Sequence, residues 1–147
     1  MAEVFISYVF EQPIDVVWRP LRDFGSMSWL PTAGDCRIEN GLAADQIGAI
    51  RSFPLGADIV REKLLALSDL DHACSYLLLQ GPLPVRNMIG AYRLWTITDT
   101  GGTFGIWRAT FDVADAQKDG AADQLTKLYA SGWTNLRKIL GGQGKSR

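Results

Sequence analysis

Arg51 and Glu62 are the residues of this chain best suited to chemistry, because their spacing sets a cation and an anion on one otherwise apolar face. They lie in Gly48-Ala49-Ile50-Arg51-Ser52-Phe53 and Ile59-Val60-Arg61-Glu62-Lys63-Leu64, two segments that read as strands around Gly56-Ala57. Glycine first in a two-residue loop suits a type II′ hairpin turn, where φ is positive. With Leu55 opposite Asp58, Arg51 falls opposite Glu62. Alternation then groups Arg51, Phe53, Val60, Glu62 and Leu64 on one face and Ser52, Arg61 and Lys63 on the other. An arginine among apolar groups holds an anion, carbonyl or hydroxyl, and a glutamate there moves a proton if burial lifts its pKa toward neutrality. The plainer reading is an ion pair bridging two strands at the surface. A buried pair is weak evidence for stability, so burial would favour function.

The other reactive residue types offer less. Tyr8, Tyr76 and Tyr92 either point hydroxyls into an interior or simply pack. His72 is the single histidine, beside a turn, and cannot build a metal site alone. Cys36 and Cys74 have no metal-ligand spacing and read as free thiols of a reducing cytoplasm. Cys74 lacks a supporting His and Asp and reads as a small apolar residue. Trp18, Trp29, Trp95, Trp107 and Trp133 are core candidates, with Trp107 and Trp133 also placed to stack on a flat ligand. There is no serine in a nucleophile elbow and no glycine loop for phosphate. A net charge of −1 gives no footprint for nucleic acid or an anionic membrane surface. No apolar run approaches the roughly 18 residues of a membrane span, and Met-Ala-Glu-Val-Phe lacks a signal-peptide pattern.

The elements that must position these groups follow from periodicity. Residues 3–10 alternate as a first strand with Val4, Ile6, Tyr8 and Phe10 on one side. Pro13 suits the first position of a helix whose buried face is Ile14, Val17, Trp18 and Leu21, with Gly25 ending or kinking it. Ser26 to Leu30 is expected as a short second helix before Pro31. A second strand over 35–40 ends at the Asn40-Gly41 turn. The central hairpin occupies 48–55 and 58–68, and a fifth strand runs from His72 to Gln80. With Ser68 opposite His72, the side chains of Cys74, Tyr76 and Leu78 join the Arg51 and Glu62 face. Beyond the rigid Gly81-Pro82-Leu83-Pro84 loop, a sixth strand spans 88–98. A turn at Thr100-Gly101 or Gly101-Gly102 leads to a seventh over 103–113. Pairing Leu94 with Trp107 sends Arg93 and Arg108 outward together and leaves Met88, Gly90, Tyr92, Leu94, Trp107, Ala109 and Phe111 inward.

One long helix over 119–140 closes the chain, with Leu125, Leu128, Tyr129, Gly132, Trp133, Leu136 and Leu140 as its apolar stripe. At 18 or more residues it extends about 27 Å, enough to cross a sheet. Gly141-Gly142 is expected to cap it, with residues 143–147 a mobile polar tail. The whole is one α+β domain of 147 residues: an antiparallel sheet curled around the long helix. Small inward residues, Gly90 and Ala109, are expected to leave space between sheet and helix.

The order of these elements, Pro13-Ile14-Asp15-Val16-Val17-Trp18, the Gly48-x-x-Arg51 strand, Arg61-Glu62-Lys63-Leu64 and Trp107 on the seventh strand resemble the helix-grip superfamily. This is the START-like group that includes Bet v 1 and the polyketide cyclase/dehydrase proteins. The hairpin motifs look most like lachrymatory factor synthase, which supplies an arginine and a glutamate to its cavity at the positions of Arg51 and Glu62. That enzyme's tyrosine falls near Met88 here, which is neither acid nor base. The late fourth-strand arginine of aromatase/cyclases falls near Leu65 to Leu67 and has no counterpart. The resemblance implies a helix-grip fold with a cavity for a small hydrophobic or aromatic molecule. Its lining would include Tyr8, Phe53, Tyr76, Met88, Tyr92, Trp107, Tyr129 and Trp133. It implies a cytoplasmic, cofactor-free cyclase/dehydrase-like enzyme, monomeric or homodimeric, with Arg51 as anchor and Glu62 as general acid/base. The alternative is a non-catalytic carrier or sensor, and a third possibility is a structural or dimer-forming protein with a vestigial cavity.

Overall fold

The computed structural model describes the backbone of residues 1–145 and the side chains of residues 1–141. Strand β1 (Ala2–Phe10) leads into helix α1 (Ile14–Arg22), followed by a short β2 (Arg37–Ile38). Strands β3 (Ile50–Leu55), β4 (Asp58–Ser68), β5 (Ala73–Gln80), β6 (Val85–Thr96) and β7 (Thr103–Val113) form a meander. A 3₁₀ turn at Asp115–Gln117 opens α2 (Lys118–Lys145). The strands make one antiparallel sheet in the order β1-β7-β6-β5-β4-β3-β2, so β1 pairs with the last strand, β7.

The β3–β4 hairpin has the expected register, Leu55 opposite Asp58 and Arg51 opposite Glu62, and Gly56 takes a φ of +62° in the turn. The neighbouring registers differ in instructive ways. Leu64 pairs with Tyr76 as expected, but a bulge after Leu64 shifts the turn end, so that Ser68 pairs with Ala73 and not His72. The bulge rotates Leu67, rather than Ala66, toward the core beside Cys74. Between β6 and β7, Leu94 faces Gly105 and Tyr92 faces Trp107, two residues from the expected pairing. The connection is a wider loop, closed by Ile97 N–H donating to the Gly102 carbonyl at 2.9 Å. A slip of two leaves every side chain on its face. Met88, Tyr92, Leu94, Trp107, Ala109 and Phe111 are accordingly buried, and Arg93 and Arg108 are exposed.

Three boundaries differ more. Ser26 to Leu30 holds a single turn, closed by Leu30 N–H on the Met27 carbonyl at 3.0 Å, and not a second helix, because Ser26 Oγ accepts the Ser28 N–H at 3.3 Å and competes with helical bonding. Strand β6 begins at Val85, three residues before the expected start, and is irregular at Asn87, whose φ is +53°. Helix α2 runs through Gly141 and Gly142 to Lys145, so the glycines do not cap it and the expected tail is helical as far as Lys145. A glycine costs a helix interior only about 1 kcal/mol, and Leu140 is buried immediately before. Residues 146–147 of the expected tail lie outside the described residues.

Helix α2 lies across the concave face of the sheet and packs against β1 and β7. Ala121, Leu125, Tyr129, Trp133, Leu136 and Leu140, spaced three or four apart, form its buried face. Helix α1 buries Val17, Trp18 and Leu21 and closes one end of the same core.

Candidate functional site

The pleat of β3 and β4 turns Arg51 and Glu62 inward together, and both are buried, at 1% and 6% of full exposure. The charges of the opposite face behave differently: Arg61 donates through Nε to Glu39 at 3.0 Å in a partly exposed position. Inside, Arg51 Nε donates to Glu62 Oε1 at 2.8 Å. Nη2 lies 2.7 Å from the same oxygen but off the hydrogen-bond axis, so neither Nη1 nor Nη2 has an aligned acceptor. Aromatic rings enclose the guanidinium: Phe24 lies 4.0 Å from its Cζ, Tyr76 5.1 Å and Phe53 5.9 Å.

Burial pushes the Glu62 carboxyl above its ordinary range, while the charge of Arg51 and its hydrogen bond pull it back. Burial works against the Arg51 charge too, but Glu62, followed by Tyr92 and Tyr76, outweighs it and raises the guanidinium still higher. Arg51 is therefore a fixed cation, and Glu62 is the group whose charge changes more easily.

A second polar chain meets the pair. Trp107 Nε1 donates to the Tyr76 hydroxyl at 2.9 Å, and the Tyr76 and Tyr129 hydroxyls lie 3.4 Å apart. Burial lifts both phenols well above their ordinary pKa, so they are neutral donors and acceptors.

Between these groups and α2 lies a cavity of about 50 Å³. Of the residues singled out in the sequence, Arg51, Glu62, Phe53, Tyr76, Met88, Trp107 and Tyr129 line it. Three others do not. The Tyr8 hydroxyl pairs with Thr134 Oγ1 at 3.0 Å and its ring is covered by Arg137, so it belongs to the contact of β1 with α2. Tyr92 donates to the Leu21 carbonyl at 3.0 Å and ties the sheet to α1. Trp133 is packed among Phe10, Trp29 and Trp107, with no face free for a ligand. One face of Trp107 is taken by Tyr129, which stacks on it at 3.8 Å with an interplanar angle of 8°. The space expected beside Gly90 is filled by the Tyr76 ring. His72 packs edge-on against Trp18 with ring centroids 5.8 Å apart, away from the cavity.

Sequence reasoning missed the apolar half of the wall. Met27 and Leu30 come from the turns after α1, Pro82 and Leu83 from the β5–β6 loop, and Leu125 and Leu128 from α2. Leu83 between two prolines was the one legible signal, an apolar side chain held in a rigid loop. Leu55, Leu78, Pro82, Leu83 and Leu128 are only partly buried or exposed and surround the mouth. Among the described residues no cluster of three or more His, Cys, Asp or Glu has the arrangement of a metal site, and no helix is long and apolar enough to cross a membrane.

A seven-stranded antiparallel sheet around a long C-terminal helix, with a cavity between them, defines the Bet v 1-like helix-grip fold. The chain belongs to the family described as polyketide cyclase/dehydrase and lipid transport, whose model matches residues 1–141. Among solved structures, a Nitrosospira multiformis protein is similar at 24% identity and TM-score 0.86, covering 98% of this chain and 99% of that one. XoxI from Bacillus cereus is similar at 21% identity and TM-score 0.85, with 95% and 96% covered. Ara h 8.0201 shares the fold at 12% identity and TM-score 0.76, with 96% and 98% covered. No curated protein matches the chain at a significant level.

Proposed function

We propose that the cavity binds a small, mostly apolar molecule carrying an oxygen function, with Arg51 as its anchor and Glu62 as general acid/base of a cofactor-free cyclase/dehydrase-like reaction. The observation that carries this is the buried guanidinium of a cavity-lining arginine, whose Nη1 has no acceptor and whose Nη2 meets Glu62 Oε1 only off the hydrogen-bond axis. Buried donors without acceptors cost about 1–3 kcal/mol each. A carbonyl oxygen arriving there satisfies them and is polarised in return. The Glu62 carboxylate then takes the proton from the carbon next to that carbonyl, and Arg51 stabilises the enolate. In a dehydration, the proton returns with the departing β-hydroxyl as water, and the balance closes without a co-reactant.

At about 50 Å³ the cavity holds a few waters, whereas a ligand of ordinary size needs about 300 Å³ or more. Binding therefore moves the wall. Met27, Leu30, Leu83, Met88 and Leu128 form its yielding side, being unbranched or γ-branched side chains on turns, a loop, the irregular start of β6 and a helix surface.

A second reading, a carrier or sensor, is favoured by two observations: Arg51 occupies Glu62 Oε1, and the position expected for a further acid or base is Met88. Native mass spectrometry of protein from its own cell identifies the co-purified molecule, and Glu62→Gln assayed against it separates the readings. Turnover lost with binding retained supports the enzyme. Ligand unchanged by the wild type over hours supports the carrier, and absence of any bound molecule under all conditions removes both.

A further inference from the structure

The hydrogen-bonding inventory of the cavity is one-sided. Arg51 offers Nη1 and Nη2 with no aligned acceptor. Trp107 gives its proton to the Tyr76 oxygen, and a single proton is shared between Tyr76 and Tyr129. Whichever tyrosine donates, one of the two hydroxyl protons is left over. Against these donors stand the two phenol oxygens and one carboxylate, Glu62, with Oε1 already committed to Arg51. The remaining lining side chains are apolar. The charge inventory is closed: one buried cation against one buried anion.

From this we propose that the site selects a neutral apolar molecule that presents an uncharged carbonyl oxygen to Arg51, such as a ketone, ester, lactone or quinone, and admits a carboxylate only together with a proton taken by Glu62. This rests on the reading of the cavity as a ligand site. A ligand carbonyl completes the free donors and adds no charge. A ligand carboxylate would put two anions around one guanidinium in a dry site, and carboxylates that share a site are forced to keep a proton. The groups around Glu62 are Arg51 of β3, Cys74 and Tyr76 of β5, Tyr129 of α2 and Cys36 before β2, with Tyr92 of β6 on the far side against Arg51. The thiols and phenols are already protonated and the guanidinium cannot take another proton, so Glu62 is the group that receives it.

Two probes of one shape test this: 2-acetylnaphthalene and 2-naphthoate, titrated at pH 6, 7 and 8 with tryptophan fluorescence as readout. The ketone is expected to bind with an affinity flat to within about twofold. The naphthoate is expected to bind more weakly at pH 8 and to gain about tenfold for each pH unit descended, as uptake of one proton requires. In Glu62→Gln the naphthoate loses its pH dependence and gains about tenfold or more at pH 8. The wild-type series stands alone if that variant does not fold. Equal affinities without pH dependence overturn the selectivity and leave the ligand site standing, as does naphthoate binding tighter than the ketone at pH 8. Failure of both probes to bind up to their solubility overturns the ligand site itself.

Discussion

The ring of Tyr76 lies across Gly90: a Cβ at residue 90 would sit 2.3 Å from the Tyr76 Cζ and 2.4 Å from its hydroxyl oxygen. The two residues are cross-strand partners on the inner face of β5 and β6. Glycine lets the ring lie flat on the sheet, where its oxygen accepts the Trp107 indole proton. A small residue on the concave face thus sets the position of a polar group; it does not enlarge the cavity.

Gly90→Ala should therefore be costly although the change is one methyl group. The nearest atoms belong to a ring buried to 1% exposure, packed against Arg51 and held by the Trp107 hydrogen bond, so it moves only by breaking those contacts. Overpacking of this kind costs about 1–3 kcal/mol. Urea unfolding followed by tryptophan fluorescence should register that loss, and wild-type stability in the variant would show that the ring yields freely.

Arg51→Met should destabilise the protein by about 3–5 kcal/mol at neutral pH, because it leaves the Glu62 carboxylate buried and unpaired. Without Arg51 the Glu62 pKa rises further. A folded-state pKa above the unfolded value gives stability that is present below the unfolded value, about 4.3, and is lost as pH rises through the folded one. The variant should be more stable at pH 5 than at pH 8. Arg51→Met with Glu62→Leu should recover most of the loss and remove the pH dependence while abolishing binding of polar ligands. Unfolding curves at the two pH values decide it. A double variant as unstable as the single one would make the pair structural.

Much of this was legible because β-structure repeats with period two. The Leu55–Asp58 register, the inward set on β6 and β7, and the facing of Arg51 and Glu62 all follow from alternation plus one turn glycine. Even the misplaced β6–β7 turn did no harm, since a slip of two preserves faces. What alternation cannot reach is the part of the site built from irregular chain. Phe24, against the guanidinium, and Met27, Leu30 and Leu83, on the cavity wall, belong to turns whose side-chain directions have no period. Helical periodicity likewise placed Tyr129 and Trp133 on one stripe. Their different fates, one on the cavity and one within the core, depend on depth along α2.

The two cysteines should differ in reactivity. Cys74 is buried at 2% exposure, and burial pushes its thiol up to about 11, Arg51 pulling weakly the other way. Cys36 is half-buried, and its thiol is raised for the same reason. At pH 8 a disulfide reagent should modify Cys36 first, with Cys74 reacting at the rate of unfolding, because only the thiolate attacks. Peptide mapping after timed labelling distinguishes them. Rapid labelling of Cys74 in the folded protein would mean that the sheet face beneath Tyr92 opens locally.

Asp69 gives an acid-sensitive tie between the β4–β5 turn and α1. It accepts from Trp18 Nε1 at 2.8 Å and from Arg22 Nε and Nη2 at 2.8 and 3.1 Å. The Arg22 bonds, then that of Trp18, hold its carboxyl down at about 2. The unfolded value is about 3.9, so the folded-state pKa is depressed. Such a group contributes stability that is present above the unfolded value and is lost as pH falls through the folded one. Asp69→Asn keeps an acceptor for Trp18 but removes the charge. The wild type should be the more stable at pH 6, and the difference should shrink between about pH 4 and pH 2. Because both side chains are more than a third exposed, salt should shrink the difference too. Urea unfolding from pH 2 to 6, at low and high salt, measures both trends. A difference that persists unchanged at pH 2 would show that the carboxylate charge, and with it the ion pair, is not its source.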